Sequence, residues 1–302
     1  MFQNFVERVG AIITPDSQKV KDSIWIIQNH VENYILRSGL KTLIIGISGG
    51  LDSAVTAAMM QSLCKRHGIK LIGVSIPLSS SKEHMEQAYW VGKTYCDSFI
   101  QMDEWETEGT HAMVDKTMES MDQAAIYAGI DPSTFNRPVA QGNIKARLRM
   151  MSLYHIAGLT GGAVLSTDNF SEGWLGFWTL HGDVGDISPI QYIEKGWEEP
   201  EFARVLGVRE DIITQKPSDG LSVTEEDSDE AQLGMTYKEV GAVIFGYERM
   251  LPEDLQAEFD DWVINEPRVQ DIINRHKRTQ FKRDGVYEVE RSMTGLPEKF
   301  GF

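Results

Sequence analysis

Apolar residues first fall into helical register between positions 20 and 35. Val20, Ile24, Ile27, Val31 and Ile35 recur at spacings of three and four and line one face of a helix. Thr14-Pro15-Asp16-Ser17 supplies its start, with Asp16 or Ser17 as N-cap, and Gly39 its stop. The pattern then changes. Residues 43–47, Leu-Ile-Ile-Gly-Ile, form an apolar run rich in β-branched side chains, which predicts a buried strand of a parallel sheet. The chain turns through Ser48-Gly49-Gly50 into residues 54–60, rich in helix formers. That helix closes on Lys65-Arg66-His67-Gly68, basic side chains at the negative end of its dipole.

Residues 71–76 repeat the strand pattern, and Pro77 closes it. Ser79-Ser80-Ser81 offers a cap for a helix carrying Ala88, Val91 and Tyr95, and residues 99–102 read as a short third strand. The order β-α-β-α-β opens an α/β, doubly wound parallel sheet of Rossmann-like type. Such sheets bind ligands beyond the C-terminal ends of their strands, where residues 48–53 fall. Residues 103–140 predict a helical excursion from the sheet, with a helix over 110–128 and breaks at Asp131-Pro132 and Arg137-Pro138.

A helix returns over 141–151. It carries Ile144, Leu148 and Met151 on one face and Lys145 and Arg149, four apart, on another. Residues 162–167 form a fourth strand that breaks into Asp168-Asn169-Phe170-Ser171-Glu172. Glu172 there is a second candidate carboxylate, with N-capping by Asp168 or Ser171 as the purely structural alternative. The glycine-rich stretch 180–189 is either a turn cluster or a substrate loop. Beyond it Lys195 is a lone cation able to reach a phosphate, and residues 216–230 read as an acidic lid. Helices follow over 237–250, 252–263 and 267–277, the last ending in His276-Lys277-Arg278.

The turn at 48–53 carries the most chemistry. Free N–H groups at a helix N-terminus favour an anion, and Gly49 and Gly50 permit close approach of a phosphate. Ser48 and Ser53 add hydroxyls, whereas Asp52 beside a polyphosphate makes sense with Mg²⁺ between them. The stretch is not the Gly-x-x-x-x-Gly-Lys-Ser/Thr loop. It resembles the pyrophosphate loop of the Ser-Gly-Gly-x-Asp-Ser ATP pyrophosphatases. That resemblance implies cleavage of ATP to AMP and pyrophosphate, with a carbonyl oxygen activated as an adenylate.

Composition narrows the classes. The chain has 302 residues and a formal net charge of −16, which argues against a large nucleic-acid footprint but leaves room for a local basic pocket. No apolar run has the length of a membrane span and no basic-then-apolar leader is present, so a cytoplasmic location is expected. Cys64 and Cys96 match neither a disulfide framework nor a zinc site and read as small hydrophobes.

Several separated stretches together resemble ammonia-dependent NAD synthetase. They are residues 48–53, Gly142-Asn143-x-Lys145-Ala146-Arg147-x-Arg149-Met150 and Ser166-Thr167-Asp168-Asn169-x-x-Glu172. Gly182-Asp183 with Asp186 and Pro189, Lys216-Pro217-Ser218, Asp229-Glu230-x-x-Leu233-Gly234-x-x-Tyr237 and His276-Lys277-Arg278 follow in the family's order. The resemblance spans residues 15–280 of a single domain over 1–302, with 281–302 as a tail. It implies a homodimer of the adenine nucleotide alpha hydrolase type. The implied reaction amidates deamido-NAD with ATP, Mg²⁺ and ammonia.

Carried over, Gly46, Ser48, Gly49, Gly50, Leu51, Asp52 and Ser53 hold ATP, and Thr167, Lys195 and Ser218 contact it. Asp52 and Glu172 bind Mg²⁺. Arg147, Asp186, His276 and Lys277 contact deamido-NAD, and Asp183 handles the incoming ammonia. Asp52, Asp183 and Lys195 are then the catalytic candidates. No glutaminase domain has room beside these motifs.

The chain also departs from the pattern. Leu180 stands where the family usually has a substrate-contacting lysine, in a loop one residue shorter, and Ser218 replaces a threonine. The arginine often found after the second strand is absent from Ile76-Pro77-Leu78-Ser79. These departures keep two alternatives open: amidation of nicotinate mononucleotide, or another ATP pyrophosphatase that adenylates a different carbonyl.

Overall fold

Four parallel strands in the order β3-β2-β1-β4 form the sheet. The computed structural model describes residues 2–289, apart from 79, 103 and 219–227, together with residue 293. In chain order its elements are α1 (Phe2–Ile13), α2 (Ser17–Ser38), β1 (Thr42–Gly46), α3 (Leu51–His67), β2 (Lys70–Ser75), α4 (Lys82–Tyr95) and β3 (Ser98–Gln101). Then come α5 (Glu104–Tyr127), α6 (Arg137–Thr160), β4 (Ala163–Leu165), α7 (Phe170–Leu175), α8 (Glu199–Leu206) and α9 (Glu210–Ile213). The last are α10 (Asp229–Leu233), α11 (Tyr237–Tyr247), α12 (Glu253–Asn265), α13 (Pro267–Arg278) and α14 (Gln280–Arg283).

β1 is the central strand, and its apolar run serves both faces. Leu43, Ile45 and Ile47 join the core that α2, α3, α4 and α8 build on one face. Ile44 meets Met150, Leu153 and Ala157 of α6 on the other. Leu43 pairs with Leu71 of β2 on one side and Ala163 of β4 on the other. The chain adds β2 and β3 on one side of β1, then crosses through α5 and α6 to add β4 on the opposite side. The strand order therefore reverses between β1 and β4, and the crevice beyond their C-terminal ends is the switch point of the sheet.

Asp16 caps α2 through Lys19 N–H at 2.8 Å, and Gly39 ends it with φ +67°. A second core lies apart from the sheet. Phe5, Val6 and Val9 of α1 join Trp174, Val240, Val243, Phe259 and Ile272 there. Phe2, Phe5, Val6 and Val9 have helical spacing and form α1, an element ahead of those expected from the sequence. Asn169, not Asp168 or Ser171, caps α7, through a capping box with Glu172. Most of the expected acidic lid, 219–227, lies outside the described residues. Ser228 is not part of a loose loop: it is buried and caps α10.

Cys64 is buried and Cys96 half-buried, and burial pushes both thiols up to about 12, so neither is a nucleophile at neutral pH. Among the described residues no helix is long and apolar enough to cross a membrane.

Gly92 sets the spacing between α4 and β3, because a Cβ there would lie 2.1 Å from the Phe99 ring. Gly92→Ala is expected to destabilise the fold by about 1–3 kcal/mol through overpacking, read as a lower denaturant midpoint at unchanged slope.

Candidate active site

The turn after β1 is braced from within. The buried Ser53 hydroxyl donates to the Gly50 carbonyl at 3.1 Å and accepts the Ser48 N–H at 3.3 Å. Ser48 Oγ, 3.2 Å from Ser53 Oγ, accepts the Gly50 N–H at 3.1 Å. The two serines therefore hold the loop, and only Ser48 also lines a cavity. Gly49 sits at φ +90°, where a Cβ would lie 2.2 Å from the His84 carbonyl oxygen; its glycine is required by contact with α4. Gly50 is the open position. It is the N-cap of α3 without a side-chain capping bond, so the helix start keeps N–H groups facing out.

Beside this helix start lies a buried charge cluster centred on Lys195. Its Nζ is 2.6 Å from Glu172 Oε1, 3.1 Å from Asp52 Oδ2 and 3.7 Å from Asp229 Oδ2, with the Tyr237 ring centroid at 4.5 Å. Asn169 joins the cluster at both ends of its amide. Its Oδ1 caps Glu172 N–H at 3.0 Å while its Nδ2 donates to Asp52 Oδ1 at 2.6 Å. Glu199, fully buried, faces Asp52, and a hydrogen bond between the two carboxyl groups favours the protonated form of Glu199.

Asp52, Glu172, Glu199 and Asp229 each stand in the first turn of a helix, α3, α7, α8 and α10 respectively. Four positive dipole ends thus converge on the carboxyl groups and offset part of their mutual repulsion. Burial alone would discharge Lys195, but Asp52 and Glu172 outweigh it and hold the ammonium charged. Burial pushes Glu172 and Glu199 well above the usual carboxylate range, so the cluster retains protons.

Lys195 owes its place to Glu194. That buried carboxylate accepts the N–H groups of Gly196 and Trp197 at 2.8 and 2.7 Å and the Ser171 hydroxyl at 3.2 Å, which ties the lysine loop to α7.

Two cavities meet at the cluster. One of about 220 Å³ has an apolar end at Val74, Ile76, Met85, Met150 and Leu153 and a polar end at Ser48, Thr167, Asp168, Glu172, Asp183 and Lys195. The other, about 820 Å³, lies beyond the loop, and Gly50, Asp52, Lys195 and Ser218 line both. Asp183 Oδ1 and Oδ2 each accept the Thr179 N–H at 2.9 Å, and burial pushes the carboxyl up to about 6. Asp168, hydrogen-bonded by the Ser166 hydroxyl at 2.9 Å, is pushed to about 8 by burial and by Asp183.

The structure gathers the loop, Thr167, Glu172, Asp183, Lys195 and Ser218 at these cavities. It holds the four dinucleotide candidates outside their walls. Arg147 is exposed and donates to the Leu180 carbonyl at 3.2 Å. Asp186 accepts from Tyr154 Oη at 2.8 Å and Val164 N–H at 2.9 Å, fastening its segment to β4. His276 stacks on Trp174 at 3.9 Å and shares a 2.8 Å hydrogen bond with the Trp174 carbonyl, while Lys277 is exposed. Asp168, Asn169, Glu199 and Asp229 are additional site residues. Three of them lie within the quoted motifs, and Asn169 and Glu172 have capping-box spacing, but nothing in the local pattern marks Glu199.

Comparison with known proteins identifies the family. The NAD synthase family model matches residues 23–285, and the chain belongs to that family. The NH₃-dependent NAD⁺ synthetase of Methanosarcina acetivorans is 32% identical over 263 residues, 84% of this chain and 91% of that protein. Its counterpart in Alkaliphilus oremlandii is 30% identical over 238 residues, 78% of this chain and 89% of that one. Among solved structures, the NMN synthetase from Francisella tularensis has a TM-score of 0.67 at 24% identity, over 90% of this chain and 98% of its own. The NAD⁺ synthetase from Burkholderia pseudomallei has 0.62 at 23%, over 94% and 96%. These structural likenesses establish the shared α/β fold.

Replacing Lys195 with Met leaves buried carboxyl groups without their counter-charge. The variant is expected to lose about 3–5 kcal/mol of stability at neutral pH. Folded-state carboxyl pKa values then rise further above their unfolded values. Stability is therefore present at low pH and lost as pH rises, and the deficit against wild type shrinks on acidification. Urea titrations at two pH values check both signs.

Proposed function

We propose that this chain makes NAD from deamido-NAD, using ATP to activate the nicotinate carboxylate and ammonia to displace AMP. The observation that carries the reading is the placement of Asp52, Glu172, Lys195 and Asp183 around one cavity that begins at the phosphate loop. The apolar end at Val74, Ile76 and Met85 suits a flat base, and the N–H groups of the first turn of α3 suit the phosphates. Lys195 is placed to neutralise charge on the departing pyrophosphate, with Ser48, Thr167 and Ser218 as hydroxyl donors nearby.

The donors fit Mg²⁺. Asp52 and Glu172 offer hard oxygens close to the helix start, and the buried Glu199 carboxyl stands behind Asp52. Among the described residues no cluster of three side chains suffices to hold a metal ion, so the remaining ligands would be phosphate oxygens and water. When bound, Mg²⁺ supplies charge neutralisation at the polyphosphate.

A carboxylate is a poor electrophile until its oxygen leaves as AMP. Ammonia then attacks the acyl-adenylate, and ammonium must first give up a proton. Asp183 suits that role. With its carboxyl near 6 it is ionised at neutral pH, and the Thr179 N–H holds both its oxygens. Arg147, Asp186, His276 and Lys277 are retained as deamido-NAD contacts. Their position outside the cavity walls suits a dinucleotide that reaches across the 179–186 loop. A homodimer belongs to the same reading. A cytoplasmic location goes with it.

The test supplies ATP, Mg²⁺ and ammonium with deamido-NAD or nicotinate mononucleotide and follows AMP and amide. Amide from deamido-NAD is expected, and turnover of the mononucleotide alone would contradict the assignment. Asp183→Asn is expected to keep ATP–pyrophosphate exchange while losing about 10²–10⁴-fold in amide formation. Loss of both reactions to the same extent would remove Asp183 from the ammonia step.

A further inference from the structure

The C-terminal helix α14 grips the strap that leads into the Asp183 loop. Thr279 Oγ1 donates to the Leu175 carbonyl at 3.1 Å, and Arg283 donates to the Trp174 carbonyl at 2.8 Å. Lys282 Nζ donates to the Gly176 carbonyl at 2.8 Å and also to the Trp178 carbonyl. The fit is close: a Cβ on Gly176, at φ +61°, would lie 2.4 Å from Thr279. Both Lys282 acceptors are neutral, so its half-buried ammonium keeps a field that reaches beyond them. Trp178, whose carbonyl Lys282 holds, directly precedes Thr179, whose N–H both Asp183 oxygens accept. The two charged groups therefore grip adjacent peptides of one strap and act on each other.

The remaining charged groups facing Asp183 are Arg147 on α6, which favours the carboxylate, and Asp168 after β4, which opposes it. Leu180 of the same loop contributes no charge.

We propose that Lys282 is the positioning residue for Asp183: it fixes the strap at 176–178 and supplies the positive charge that keeps the Asp183 carboxylate ready to accept a proton from ammonium. The inference rests on the proposed role of Asp183 in the ammonia step. Lys282 and Arg283, at the start of the tail expected over 281–302, thereby become part of the machinery. Its sign follows from the electrostatics. Burial raises the Asp183 carboxyl to about 6 against the opposing pull of Lys282, so removing that charge raises it further.

The full chain, Lys282→Met and Lys282→Arg are compared for amide formation from about pH 5.5 to about pH 9, alongside ATP–pyrophosphate exchange and thermal melting. For Lys282→Met the acid limb is expected to move to higher pH. Its rate should fall roughly three- to tenfold more near pH 6 than near pH 8, with exchange unchanged. Lys282→Arg should restore the limb. An unmoved limb in Lys282→Met, or a uniform loss at every pH that follows a lowered melting temperature, overturns the proposal alone. Absence of amide formation by the wild type, or full amide formation by Asp183→Asn, overturns the underlying role of Asp183 as well.

Discussion

One buried ammonium holds this site together. Four helices begin around Lys195, and each brings a carboxyl group in its first turn. One cation cannot balance four carboxylates, so the arrangement depends on helix dipoles, on the Asn169 amide and on retained protons. The same features make it receptive. N–H groups at the start of α3 attract phosphate, whereas a carboxylate at Asp52 repels it unless a cation accompanies it. Under the proposed function, such a site would select a nucleotide that arrives with its metal.

The fold puts these helix starts together because the strand order reverses between β1 and β4. Residues leaving β1 form the loop at 48–53, and residues leaving β4 form the Ser166–Glu172 segment, so both open into one crevice. Lys195 comes from a loop with no strand of its own, and Glu194 anchors it by accepting two backbone N–H groups. The second core, built with α1, α11, α12 and α13, supports the opposite wall and carries Tyr237 under the lysine.

The parallel sheet was legible because β1 and β2 are short apolar runs closed by glycine or proline signals, and periodicity reports such runs directly. Asp52 and Glu172 were legible as a pair because each follows a strand by a few residues. Lys195 was legible only as a lone cation, since its partners lie 143 and 23 residues away in the chain. Glu199 was silent: a glutamate at the start of an amphipathic helix looks like an ordinary dipole partner until the fold buries it. His276 belongs with Trp174 by stacking, a contact across 102 residues that local pattern cannot carry. The role of α14 escaped for a related reason, because Gln280–Arg283 is too short to show a face.

The most direct test of a site built on one cation among several carboxyls is the binding of a non-hydrolysable ATP analogue with and without Mg²⁺. If the Asp52 and Glu172 carboxyl groups face the polyphosphate beside Lys195, the analogue binds at least about tenfold more tightly when Mg²⁺ is present. Equal affinity in the absence of Mg²⁺ would contradict that arrangement and leave Lys195 as an internal counter-ion with no part in holding the nucleotide.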